Sequence, residues 1–121
     1  MSRVDQLNRI LRSLQSSSPD VEACALISED GLIIASALPQ HVDEARVGAM
    51  SATLLSLGTR AATELTRGEV QEVLVRGSEG YAVMMSSSSG TLLLALAGKQ
   101  AKLGLLFLDV RRAIEDVRKV L

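Results

Sequence analysis

Residues Val42 to Arg67, VDEARVGAMSATLLSLGTRAATELTR, constrain this chain more than any other stretch, because they read as one long helix with two differently built apolar faces. Val47, Met50, Leu54, Leu57, Ala61 and Leu65 recur at helical spacing and form a wide stripe of large side chains, the pattern of a helix lying on a core. Around the cylinder runs a second row of small residues, Ala45, Gly48, Ala49, Ala52, Ser56 and Thr59. Lys, Glu and Arg, which ordinarily solvate an outward face, are nearly absent from that row. Small side chains let a second backbone approach closely, so this face is expected to meet another helix. A chain of 121 residues has few helices left to supply one, which points to a partner in another chain.

The flanking segments read as follows. Val4, Leu7, Ile10, Leu11 and Leu14 share one face of a first helix, with Ser2 and Asp5 spaced as a capping box. Ser16-Ser17-Ser18-Pro19-Asp20 ends it, since serines compete for backbone hydrogen bonds and proline cannot continue the ladder. Val21 to Ser28 and Leu32 to Ala37 read as strands joined by a tight turn at Glu29-Asp30-Gly31. The first of them, VEACALIS, is apolar on both faces and predicts cover on both sides. Asp43 is placed to cap the long helix and Gly68 to terminate it.

Three more strands are expected at Glu69 to Arg76, Tyr81 to Ser86 and Thr91 to Ala97, with Gly77 to Gly80 and Ser87 to Gly90 as hairpin loops. A last helix starts near Lys102, with Leu103, Leu106, Val110, Ile114, Val117 and Leu121 as its core stripe. Helix, hairpin, long helix, three-strand meander and helix make a three-layer α/β/α sandwich on an antiparallel sheet, in one domain spanning residues 1–121. The polar strand after the long helix suits a sheet edge. If the small-residue face meets its own copy about a two-fold axis, that edge pairs with its copy too, adding Gln71 and Val73 to the contact.

Composition narrows the function. No apolar run is long enough to cross a bilayer, and the N-terminus lacks the apolar core of a secretory signal. A formal charge of -1, with Tyr81 and Phe107 as the aromatics, lacks the basic, ring-bearing stripe of a nucleic-acid binder. Cys24 alone excludes an internal disulfide and favours the cytoplasm.

Three segments carry a resemblance to a family: PDVEACALISEDGLIIAS, then DEARVGAMSATLLSLGTRAATEL, then AKLGLLFLDVRRAIEDV. In order and spacing they resemble the Roadblock/dynein light chain family, in particular its bacterial MglB-like branch. The most specific pieces are the Pro19–Leu32 hairpin and Ala49–Gly58, both of which describe packing and turns. The resemblance implies a Roadblock/profilin-like fold: about five antiparallel strands, the long helix on one face and the terminal helices on the other. It also implies dimers joined through the long helix and the adjoining strand. Bacterial and archaeal members regulate small Ras-like GTPases, some stimulating hydrolysis without supplying a catalytic residue; eukaryotic relatives are dynein light chains or scaffolds.

Residues able to do chemistry are few. His41 has no Cys or carboxylate cluster around it in sequence and reads as a loop residue, so neither a metal nor another cofactor is expected. Cys24 reads as a small buried hydrophobe. Serines 86 to 89 lack a nucleophile's context, and Gly77 to Gly80 lacks the ending of a phosphate loop. Arg60 is the candidate for a GTPase contact, as an arginine supplied in trans or as a surface residue; Arg67 shares the thought.

The leading reading is therefore a non-catalytic homodimer that binds a small Ras-like GTPase and acts on its switch regions, stimulated hydrolysis being one form of that action. The alternative is a structural adaptor or light-chain-like scaffold with no effect on nucleotide turnover. A small-ligand sensor is a third, disfavoured by strands that fill their own core with aliphatic side chains. The expected dimer contact comprises Ala45, Gly48, Ala49, Ala52, Ser56, Thr59, Gln71 and Val73.

Overall fold

The computed structural model describes residues 1–87 and 90–121; the expected serine loop falls partly on Ser88 and Ser89, outside the described residues. Helix α1 (Arg3–Ser17) starts where expected, because Ser2 Oγ accepts from the Asp5 N–H while Asp5 Oδ2 accepts from the Ser2 N–H. It stops at Ser18, whose Oγ donates to Asp109 Oδ2 over 2.7 Å. Strands β1 (Val21–Ser28) and β2 (Ile33–Ala37) form the first hairpin. Helix α2 (Glu44–Glu64) is capped by Asp43, whose Oδ1 accepts from the Arg46 N–H. Strands β3 (Val73–Gly77), β4 (Gly80–Ser86) and β5 (Thr91–Gly98) form the meander, and α3 (Leu103–Val120) closes the described chain.

The five strands make one antiparallel sheet in the order β2-β1-β5-β4-β3, with β1 and β5 central and β3 at an edge. Alternation along each central strand divides its side chains between two cores. Cys24, Leu26, Val83, Met85, Leu93 and Ala95 face α1 and α3, meeting Leu7, Leu11, Leu106, Val110 and Val117. Ala25, Ile27, Met84, Leu92 and Leu94 face α2, where Leu55 joins them. Three layers result, as the sequence implies.

The two faces of α2, however, divide differently from expectation: Val47 of the large stripe packs against the sheet, but the rest of that stripe does not, and Ala45, Ala49, Ser56 and Thr59 of the small row stay exposed. The row that packs inward is small: Gly48, Ser51 and Leu55 are buried, with Ala52 packed against them. The stripe of large residues points outward. Met50, Leu57 and Leu65 are 53%, 57% and 64% exposed, and Leu54 is 38% exposed. The reason is a close approach of backbones. Gly31, at φ +89° in the β1–β2 turn, sits on the first turns of α2, and a Cβ on Gly48 would lie 2.2 Å from the Gly31 carbonyl oxygen. Further along, a Cβ on Gly58 would lie 2.5 Å from Val73 Cγ2. At these two glycines there is no room for a larger side chain; Leu55 and Val47 reach the core between and beside them, while Met50, Leu54, Leu57 and Leu65 turn outward.

Two local expectations also change. Strand β3 begins at Val73 and not at Glu69, so the polar residues Glu69, Gln71 and Glu72 precede it; the carboxylate of Glu72 is drawn instead to Arg111, at 3.3 Å. Gly68 does not end α2. The Arg67 N–H donates to the Ala62 carbonyl and the Thr66 N–H to the Thr63 carbonyl, the Schellman pattern, with Thr66 in the left-handed position at φ 58°.

These contacts predict opposite outcomes for two glycine replacements, read as urea or thermal unfolding free energies. Gly48→Ala gains helix propensity of about 1 kcal/mol but loses more to the clash with Gly31, so stability falls. Gly104→Ala meets no atom within 4 Å and is expected to raise stability by up to about 1 kcal/mol. Thr66→Gly removes a β-branched side chain from left-handed backbone and is expected to stabilise by about 1 kcal/mol.

Candidate interaction surface

Among the described residues, reactive side chains do not converge. His41 is exposed in the turn before α2. Ser86 is exposed at the end of β4, and Ser87 follows it. Among the described residues no three His, Cys, Asp or Glu side chains come close enough to hold a metal. Cys24 is fully buried, its Sγ 3.4 Å from the Leu11 carbonyl oxygen, and burial pushes its thiol up to about 11 by penalising the thiolate.

The surface offers more. The outward stripe of α2, Met50, Leu54, Leu57, Ala61 and Leu65, stands beside the β3 edge: Leu54, Ala61 and Leu65 share the helix flank of Gly58, which touches Val73. Val75 lies two residues beyond Val73 on the same face of the sheet and is 43% exposed. Among the described residues strand β3 pairs with β4 alone, leaving its outer hydrogen-bonding edge open. An apolar ridge therefore rises next to an unpaired strand, and isolated exposed leucines on a soluble surface do not ordinarily cluster this way.

The other flank of α2 is polar and hollow. A groove of about 550 Å³ runs between this flank and the ends of the hairpins, lined by Glu29, Asp30, Ser56, Thr59, Arg60 and Thr91 among others.

The residues expected at a dimer contact are thus divided by the fold. Gly48 is consumed against Gly31, and Ala52 is half-buried in the α2-side core, so these two members of the small row serve this chain's own sheet and turn. Ala45, Ala49, Ser56 and Thr59 are exposed on the polar flank, where Thr59 Oγ1 donates to the Leu55 carbonyl at 2.8 Å. Gln71 is exposed ahead of the edge strand, and Val73 is half-buried within it. Arg60 is exposed in the groove, and no ion pair occupies it among the described residues. Met50, Leu54, Leu57, Leu65 and Val75, which the periodicity singles out but assigns to the core or the register, are the apolar residues actually offered outside.

Comparison with known proteins agrees with this architecture. The sequence profile of the Roadblock/LC7 domain matches residues 7–97. The chain belongs to the Roadblock/LC7 domain family. It is similar to the uncharacterized protein MJ1340 of Methanocaldococcus jannaschii, at 30% identity over 112 residues, covering 93% of this chain and 96% of that one. A Roadblock/LC7 domain from Streptomyces avermitilis superposes with a TM-score of 0.85 at 25% identity, over 93% of this chain and 94% of that one. Myxococcus xanthus MglB superposes with a TM-score of 0.88 at 18% identity, over 99% and 90% of the two chains. A further MglB structure, described as having a tetrameric arrangement, gives a TM-score of 0.85 at 16% identity, over 99% and 90%. At these identities the MglB likeness is one of fold.

Burial of Cys24 generates a prediction with a defined sign. A thiol reagent at pH 8 is expected to leave the native chain unmodified and to label it fully in denaturant. Because the folded thiol titrates near 11 against a reference of 9.0, the unfolded chain loses its proton first. Stability owed to the neutral thiol is complete below pH 9 and declines as pH rises toward 11. Relative to Cys24→Ala, the unfolding free energy should fall by about 1 kcal/mol between pH 8 and 10 in paired urea titrations.

Proposed function

We propose that this chain acts as a homodimeric, non-catalytic regulator that binds a small Ras-like GTPase in the cytoplasm and holds its switch regions, with faster GTP hydrolysis as the outcome. The observation that carries this reading is the apolar ridge of α2 beside the open β3 edge, in a chain of the Roadblock/LC7 family. Two copies related by a two-fold axis satisfy both features at once: the ridges cover each other, and the edge strands pair so that the sheet continues across the contact. Covering side chains of this size contributes about 1.5–3 kcal/mol for each one fully buried. The interface proposed here is Met50, Leu54, Leu57, Ala61, Leu65, Val73 and Val75, in place of the small row. Residues 1–121 act in this reading as a single Roadblock domain.

The chemistry of the described residues supports giving bond-making side chains no role. The strands spend their inward positions on aliphatic side chains, and the buried thiol is held neutral. What the chain presents is shape, an apolar ridge and fixed charges. Such a platform accelerates a partner's reaction by selecting the partner's competent switch conformation, provided it binds that conformation more tightly than the other. The catalytic groups then belong to the GTPase itself.

Two measurements test the reading. Sedimentation is expected to show a dimer, and Leu57→Glu, which sets a carboxylate inside the contact, should raise its dissociation constant by roughly a hundredfold (~3 kcal/mol); a native monomer at high concentration would refute the dimer. Mixed with the Ras-like GTPases of its host, the chain should accelerate GTP turnover while hydrolysing none alone. At saturating regulator, Arg60→Ala should leave that maximal rate intact; its collapse with binding retained would make Arg60 a catalytic finger. Binding with unchanged turnover would favour the adaptor.

A further inference from the structure

We propose that residues Glu69 to Glu72 form a strap that closes onto β4 and lengthens the edge strand β3, and that strap closure and the pairing of two copies through that edge strengthen each other. The inference rests on the proposed dimer and names a device that sets its strength.

Register carries it. Strand β3 pairs with β4 through Val73↔Met84, Val75↔Ala82 and Gly77↔Gly80, and the same register continued places Glu72 opposite Met85 and Gln71 opposite Ser86. Strand β4 is long enough for both, since it runs to Ser86 and pairs with β5 along its whole length. Hydrogen-bonded and non-bonded pairs alternate along an antiparallel ladder. The Ser87 N–H donates to the Thr91 carbonyl at 2.8 Å, so the N–H and C=O of Ser86, one residue earlier, point away from β5 toward the place of Gln71. No backbone hydrogen bond joins Gln71 to Ser86. One rung of the ladder is thus prepared on β4 and left unmade by the segment opposite.

Side chains show where the chain leaves the register. Val73 packs on the α2-side core with its partner Met84, and Glu72 turns to the opposite face, that of Met85, where Arg111 holds its carboxylate at 3.3 Å. In an extended chain Val70 would follow Glu72 onto that face. It packs instead against the α2-side core, so the backbone turns over at Gln71. Glu69, Val70 and Ser86 form a partition with open space on both sides: a hollow of about 580 Å³ toward Thr59, Thr63 and Thr66, and one of about 390 Å³ toward Arg111 and Ile114. Closure moves Val70 into the second hollow and makes the two hydrogen bonds between Gln71 and Ser86. Half-burying one valine and making one such rung are of similar worth, so a modest added contact decides between the two positions. The edge itself supplies that contact. By the same alternation, Leu74 and Arg76 turn their backbone groups outward from β3, and closure adds Glu72 to them. A copy paired along the edge gains a third residue to bond, and its bonds in turn hold the strap shut.

The test uses the full chain, with backbone amide exchange read by NMR from low to high protein concentration beside sedimentation. The Gln71 N–H should gain at least about fivefold protection as the dimer fills, the size of one hydrogen bond. Gln71→Cys combined with Ser86→Cys sets thiols on opposed residues of the closed ladder, whose Cα separation of about 5.5 Å permits a disulfide. Cys24 is buried and does not compete. Oxidised, this variant should dimerise at least about fivefold more tightly than its reduced form. Gln71→Pro lacks the N–H that the rung requires and should weaken the dimer by a similar factor; Gln71 and Ser86 are exposed, so the fold tolerates all these changes. A Gln71 amide that exchanges equally at every concentration while sedimentation shows the dimer, or a disulfide that fails to form or forms without tightening it, would overturn the strap and leave the dimer standing. A native chain that stays monomeric at high concentration would overturn the dimer and this coupling with it.

Discussion

The close approach of α2 to the sheet is the constraint from which the rest of this structure follows. Gly48 lies so near the Gly31 carbonyl that a single methyl carbon would sit at 2.2 Å from it, and Gly58 stands in a similar relation to Val73. A helix that rests this tightly on a hairpin turn and an edge strand can present only glycine, alanine and serine to them, with Leu55 as the one large buried contribution. Met50, Leu54, Leu57 and Leu65 lie on its far side, while Val47 joins Leu55 against the α2-side core. The position of the apolar ridge, the openness of the polar flank and the fixing of the acidic turn are consequences of one packing distance.

The two faces of the sheet answer to different demands. Toward α1 and α3 the core is thick, built from leucine, valine and methionine on three elements and including the buried thiol. That side is where the stability of the described chain is concentrated. Ser18 to Asp109 and Asp20 to the Lys102 N–H tie the end of α1 to the start of α3, so the two helices close over this core as a unit. Toward α2 the core is thin, and the helix outside it keeps apolar surface that its own chain does not cover. The thicker core thus lies on one side of the sheet and the exposed apolar stripe on the other.

Within α2 itself the division continues. One flank is apolar and adjoins an unpaired strand; the other is polar and adjoins a rigid acidic turn. Apolar ridges associate with little regard for the partner's chemistry but bury area, which suits a permanent contact between identical copies.

Much of this was legible in the residues. The capping box at Ser2 and Asp5, the tight turn at Asp30-Gly31, the Asp43 cap and the continuous apolar runs of VEACALIS and TLLLALA are local signals, set by backbone geometry and composition, and the structure places each where the sequence does. The family follows from the same signals. Boundaries shifted where a distant group intervened: Glu72 is claimed by Arg111, and Thr66 takes the left-handed cap ahead of Gly68. What the sequence determined by itself was the set of elements and the existence of two unlike faces on α2. Which face turns inward was decided by tertiary structure, since hydrophobic periodicity gives the direction of greasiness around a helix but not the clearance beneath it. That clearance is set by Gly31 and Val73, residues 17 and 15 positions from the glycines they touch, whose distance from α2 exists only once the chain has folded.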